Sequence, residues 1–203
     1  MKPVLPVDFL ILAVKDWEFL AFLSQLNDDF YKSFHKTLGH VYFGNIRGDK
    51  TKQKVAVMKC GMGPDVHGPV IVVPKAVKKL KPKAVFNVGA CAGLKKVKQG
   101  HVVLSAKVRA YAYTKDTEDG LEERGIGVPV SRGLGGIALT AHHGWEAPLE
   151  DPTKWKVKVH SDGVFLSGPR VVNSLEEKNK LLKRFRDATA LEMEAEGKGF
   201  TLD

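Results

Sequence analysis

Near its end the chain reads ALEMEAEG (190–197), placing Glu192, Glu194 and Glu196 around Met193. Carboxylate oxygens accept hydrogen bonds, so such a cluster suits the hydroxyl groups of a sugar. On a helix Glu192 and Glu196 would share a face and Glu194 would point away. On a strand, as the alternation of Leu191 and Met193 with Glu192 and Glu194 suggests, Glu192 and Glu194 would share one. Two other stretches are rich in small residues, VMKCGMGPDVHG (57–68) and VFNVGACAGL (85–94). Small side chains let backbone N–H groups come close to an anion or a hydroxyl. Neither stretch is a GxGxxG fingerprint or a phosphate-binding P-loop, and a tight turn is the alternative for each.

Both loops follow strand patterns. DFLILAV (8–14), HVYFGNI (40–46), KVAVMKC (54–60), KAVFNVG (83–89) and HVVLSAKV (101–108) are short, apolar or β-branched runs bounded by Gly, Pro or charge. Their near-continuous apolar character predicts strands covered on both faces. Between them, Phe19, Phe22, Leu23 and Leu26 recur at helical spacing behind Asp16, a candidate N-cap. Val70, Val73, Val77 and Leu80 do the same, although Pro74 costs roughly 3 kcal/mol inside a helix, so that helix should start late or bend. Ser174 and Glu177 form a capping-box pattern ahead of Leu181, Leu182 and Phe185. Residues 113–154 hold seven glycines and three prolines and read as a long loop or insert. The order of elements predicts one three-layer α/β/α domain over residues 1–203 with a mixed central sheet, and ligands then belong beyond the carboxyl ends of its strands.

Hydrophobic residues make up 43% of the chain and charged residues 27%, which excludes a disordered protein. The apolar run from Phe9 to Val14 is too short for a signal core or a membrane span, so a cytoplasmic location and no membrane partner are expected. Cys60 and Cys91 form no CxxC pair, and the seven histidines show no metal-ligand spacing, so neither a disulfide framework nor a metal is expected. The net charge of +9 comes from lysine runs at 75–83, 95–98 and 178–186. These read as solvated faces or as a field that draws anions. No aromatic ladder accompanies them, so nucleic acid is not an expected partner and a basic nucleic-acid-binding protein is only a remote alternative.

The strand KAVFNVG with its loop ACAGL, then V-x-x-G-x-V-V-L-S (97–105), KCGMGPDVHGP (59–69), HSDGVFLSGPRVV (160–172) and ALEMEAEG together resemble the nucleoside phosphorylase and methylthioadenosine–S-adenosylhomocysteine nucleosidase superfamily, in its order, over residues 8–197. The resemblance implies cleavage of a nucleoside N-glycosidic bond, with a purine nucleoside favoured, no cofactor, inorganic phosphate as co-substrate in a phosphorylase, and a homo-oligomer. It gives Glu194, Met193 and Glu192 to the ribose, and Phe165, Val164, Ala92 and Gly93 to the base. Gly61, Gly63, Ala90, Cys91 and Arg109 would form a phosphate or anion loop, and Glu18 would be a catalytic carboxylate that orients water. Each has a plainer alternative: a core aromatic for Phe165, a surface carboxylate for Glu18, a strand-end surface arginine for Arg109.

Two departures bear on the reaction. Phosphorylases of this family carry Arg at the place of Asn87 and Ser or Thr at Ala90, so water is the expected nucleophile here. The family's last strand, which carries a general-acid aspartate, and its terminal helix would fall beyond Asp203. Loss of such an acid costs roughly 10²–10⁴-fold in rate, so impaired turnover is one expectation and an inactive nucleoside-binding sensor another. Asp162, in the turn-like Ser-Asp-Gly, offers no replacement.

Overall fold

Leu10 and Leu12 in the first apolar run face one core, while Ile11 and Ala13 face another. This alternation marks a strand buried on both sides. The computed structural model describes residues 5–48, 50–61, 68–118, 120–125, 127–151 and 153–193. They fall into two compact units, 1–90 and 91–203.

The first unit is built on β1 (Phe9–Ala13), β2 (Tyr31–His35), β3 (Gly39–Asn45), β4 (Lys54–Lys59) and β5 (Ala84–Asn87). They form a mixed sheet in the order β2-β3-β4-β1-β5, parallel at β4-β1-β5 and antiparallel at β2-β3-β4. Helix α1 (Asp16–Leu23) covers one face with Phe19 and Leu23, and α2 (Pro69–Leu80) covers the other with Val72, Val73, Ala76 and Leu80. The result is three layers. Asp8 joins the strand starts, accepting from Lys54 N–H at 2.8 Å and pairing with Lys83 at 2.7 Å, and these partners hold its carboxyl below the usual range.

One helix expectation needs correction and a second is narrowed. Lys15, not Asp16, is the N-cap of α1, because the Glu18 carboxylate folds back to accept its N–H at 2.9 Å. Helix α2 does not start late: it begins at Pro69, where a missing N–H costs nothing, and runs through Pro74. Its core face is Pro69, Val72, Val73, Ala76 and Leu80, leaving Val70 and Pro74 in solvent.

The second unit carries β6 (Ala92–Gly93), β7 (Val102–Ala110), β10 (Gly127–Pro129), β11 (Val159–Ser167) and β12 (Ala190–Glu192), in the order β10-β7-β11-β12-β6. Helix α4 (Leu175–Arg184) packs on one face, where Leu181 and Phe185 meet Leu166, Leu191, Tyr111 and Leu94. As the capping pattern predicts, the Ser174 hydroxyl accepts the Glu177 N–H, at 3.4 Å. The segment expected to be a long loop is structured in its first part. It contains a hairpin of β8 (Thr114–Thr117) and β9 (Gly120–Glu123), then β10, then α3 (Arg132–Thr140) capped by Ser131. The hairpin's strands, Thr-Lys-Asp-Thr and Gly-Leu-Glu-Glu, are mostly polar, which is why they read as loop.

The expected turn at Ser-Asp-Gly is also replaced. Ser161–Gly163 lie inside β11, where the register against β7 shifts on either side of Gly163. A Cβ at Gly163 would stand 2.9 Å from the Leu104 carbonyl oxygen, so this glycine serves a bulge in a strand. Asp162 is exposed there.

Candidate active-site residues in the two units

In the first unit the chain leaves β1 at Ala13 and enters α1 within three residues, which brings Glu18 back over its own helix start. Oε2 of Glu18 accepts the N–H groups of Val14 at 3.2 Å and Lys15 at 2.9 Å. Oε1 accepts the N–H of Ala90, in the loop after β5, at 2.9 Å. A carboxylate is favoured in the first turn of a helix, where the dipole is positive. Glu18 is only 7% exposed, which sets aside the surface-carboxylate alternative. Gly89 lies so close that a Cβ there would stand 3.1 Å from Oε1. A cleft of about 340 Å³ opens beside Glu18, between α1 and the loop after β5, with Trp17, Phe22, Val88 and Ala90 on its walls. Gly61 follows β4, half-buried; Gly63 lies outside the described residues.

In the second unit β12 ends on Glu192, which is 9% exposed. Ala190–Glu192 are strand, and Met193 follows them, half-buried. Glu194 and Glu196 lie outside the described residues. Register sorts the neighbours. Phe165 stands beside Val108 and Ala190, Ser167 beside Ala110 and Glu192, and Gly93 beside Ala190. These positions share the sheet face turned away from α4, because Leu166 and Leu191, one step along, belong to the core under α4.

On that face Phe165 is half-buried and Ser167 fully buried. Cys91 lies close to Glu192: burial, and then the charge of Glu192, push its thiol above the ordinary cysteine value. Gly93 is required by crowding, since a Cβ there would meet the Val97 carbonyl oxygen at 2.8 Å.

Three expected site residues are placed elsewhere. Ala92 packs into the core under α4 beside Leu191. Val164 alternates with Phe165 and so falls on the α4 side with Leu166. Arg109 stands opposite Leu166, and its guanidinium donates to Asp187 at 3.3 Å, as the surface-arginine alternative has it.

Among the described residues no group of three or more His, Cys, Asp or Glu converges as a metal site, and no helix is long and apolar enough to cross a membrane.

Comparison with known proteins bears on the fold and the family. No curated protein sequence matches the chain. Among solved structures it is similar to 5′-methylthioadenosine/S-adenosylhomocysteine nucleosidase of Helicobacter pylori with butyl-thio-DADMe-Immucillin-A. The identity is 20% and the TM-score 0.72, over 96% of this chain and 78% of that one. It is also similar to the futalosine hydrolase of Helicobacter pylori, at 19% identity and TM-score 0.71 over 98% and 84%. The nucleosidase of Colwellia psychrerythraea in complex with adenine matches at 18% identity and TM-score 0.71 over 96% and 76%. At these identities the likeness is one of fold. The model of the phosphorylase superfamily matches residues 9–196, and the chain belongs to that family.

Proposed function

We propose that the chain hydrolyses the N-glycosidic bond of a purine nucleoside. The observation that carries this reading is the Glu18 carboxylate, buried and fixed by three backbone N–H groups at a strand end, in a member of the phosphorylase superfamily.

Breaking a ribosyl–base bond builds positive charge on the sugar ring and negative charge on the departing base. The attacking group must be held near the anomeric carbon, and a fixed carboxylate does this for water by accepting one of its protons. Glu18 takes that role in the first unit. In the second unit Phe165 offers a flat apolar wall for a base, and Glu192, the last residue of β12, with Met193 after it, is assigned to the ribose. Glu194 is assigned the ribose hydroxyls from its place in the E-M-E motif. The preference for water rests on Asn87 and Ala90, which supply neither the guanidinium nor the hydroxyl that would hold phosphate. The purine preference is supported by the similar nucleosidase solved with adenine. This chemistry asks for no cofactor, the two free cysteines suit a reducing cytosol, and a homo-oligomer rests on the family resemblance alone.

The test is release of free base, followed by chromatography, from adenosine, inosine, methylthioadenosine and uridine, each with and without phosphate. Release from the purine nucleosides without phosphate is expected. Glu194→Gln should lower it at least roughly a hundredfold, the scale of a lost transition-state contact. Release that requires phosphate would overturn the assignment of water. No release from folded protein that still binds nucleoside would make it a sensor.

A further inference from the structure

Two lysine-rich segments of the second unit meet where β7 and β11 start. Val102 opens β7 beside Val159 of β11, and the Val102 N–H donates to the Lys158 carbonyl oxygen at 3.0 Å. His101 Nδ1 and His160 Nε2 lie 3.0 Å apart at the same place. The stretches leading into the strands, KKVKQGH (95–101) and KWKVKVH (154–160), are thereby laid side by side. Trp155 comes against Gly100, where a Cβ would stand 3.2 Å from the indole, and the φ of +84° at that position also favours glycine. The Trp155 side chain is still 48% exposed. Along the sequence the lysine run at 95–98 has no aromatic residue near it. The fold supplies one.

The charges set this surface apart from the lysines of α4. There Lys180 is held by Glu176 at 2.9 Å and Glu177 at 2.8 Å, as on an ordinary solvated helix face. Here Lys154 pairs with Asp151 at 3.5 Å. Lys95, Lys96, Lys98, Lys156 and Lys158 are exposed, and among the described residues none of these five has a carboxylate within ion-pair distance. Lys95 keeps its charge at a left-handed backbone position, φ 50°, where glycine would cost less. Asp162, exposed two residues beyond His160, subtracts one charge. Unpartnered lysines bind phosphates and release their counterions. An exposed aromatic ring adds a face on which a base stacks. We propose that this end of the second unit binds single-stranded nucleic acid, with a base on Trp155 and the backbone phosphates on these five lysines. A duplex keeps its base faces stacked inside, and an acidic peptide has no flat face to lay on the ring. Phe165 lies toward the other end of β11, so this binding neither uses nor requires the nucleoside chemistry assigned above.

The experiment is fluorescence anisotropy of the whole chain with labelled strands of about 12 nucleotides, within the span of a single-strand site. Single-stranded RNA, single-stranded DNA, the DNA duplex and a labelled polyaspartate are compared. A single strand should bind saturably and more tightly than the duplex or polyaspartate. Binding of either strand supports the proposal, and the tighter one names the source. Trp155→Ala should weaken single-strand binding by roughly five- to hundredfold, the contribution of one stacked base, and leave duplex binding nearly unchanged. Lys156→Gln combined with Lys158→Gln should lower the slope of log affinity against log salt by about 1.4, at roughly 0.7 for each single-strand phosphate contact. Lys180→Gln, which removes a paired lysine, should change neither quantity. No saturable binding of either strand would overturn the proposal. So would equal binding of strand and duplex that ignores Trp155→Ala, the mark of charge alone, and so would polyaspartate binding as tightly as the strand. If Trp155→Ala does not fold, the exposed lysine pair decides, because a loss of binding no greater than that of Lys180→Gln would overturn it equally.

Discussion

Glu18 and Glu192 are both acidic residues that the fold removes from solvent, and neither burial follows from local sequence. Glu18 reads as part of a helix surface because Ala90, which donates to its Oε1, is far away in the chain. Glu192 reads as one of three crowded carboxylates, whereas the register against β11 and β6 is what buries it. Its charge can be sensed through Cys91. The thiol is held above its ordinary value by burial first and by Glu192 second. Neutralising the carboxylate as Glu192→Gln removes a repulsion on the thiolate, so the Cys91 value should fall. At a fixed pH near 8 alkylation of Cys91 should then quicken by roughly two- to tenfold, within the range a single nearby charge produces. An unchanged rate would mean that the two side chains do not face each other.

At the scale of elements, the apolar runs announced β1, β3, β4, β5 and β7, but only β1 and β4 are buried along both faces; β5 is an edge strand that leaves Phe86 and Asn87 exposed. Strand β2 was hidden by Lys32, Ser33 and His35, which an antiparallel edge strand tolerates and a central one does not. Helix α2 was visible, but its phase was misjudged because Val70 is apolar and yet exposed. The same helix yields a test. Pro74 removes one hydrogen bond on the solvent side, and Pro74→Ala should restore it. The gain is offset in part by the greater freedom of the unfolded chain, leaving a net of about 1–2 kcal/mol. The urea midpoint should rise, and an unchanged or lower midpoint would contradict the helix as described.

The strands β7 and β11 are joined near their starts by two imidazoles, His101 Nδ1 lying 3.0 Å from His160 Nε2. Burial, then His101 and Lys158, depress the value of His160 below 6.5, with Asp162 opposing weakly. A depressed value in the folded state means that the unfolded chain takes up the proton first. Stability from this site is therefore complete above about pH 6.5 and is lost as pH falls through the lower, folded value. Denaturant midpoints measured from pH 7.5 down to 5 should decline more steeply for the unaltered chain than for His160→Asn. Parallel declines would remove the histidine pair from the account.

For the whole molecule, family membership was legible because its motifs lie on strands and in the loops that follow them, where spacing along the chain follows the fold. The identity of the face on which each residue sits was not, as Ala92, Val164 and Arg109 show. Those three are separated from Phe165 and Glu192 by single steps of strand alternation. The surplus of positive charge, +9, gives no catalytic group by itself and sets a field around the molecule. The central claim is that water, and not phosphate, accepts the sugar. It is tested most directly by incubating the 203-residue chain with a purine nucleoside in water enriched in the heavy oxygen isotope, with phosphate present, and weighing the products by mass spectrometry. The account predicts free base and free sugar carrying the heavy oxygen. A sugar phosphate without the label, or no free base at all, would contradict it.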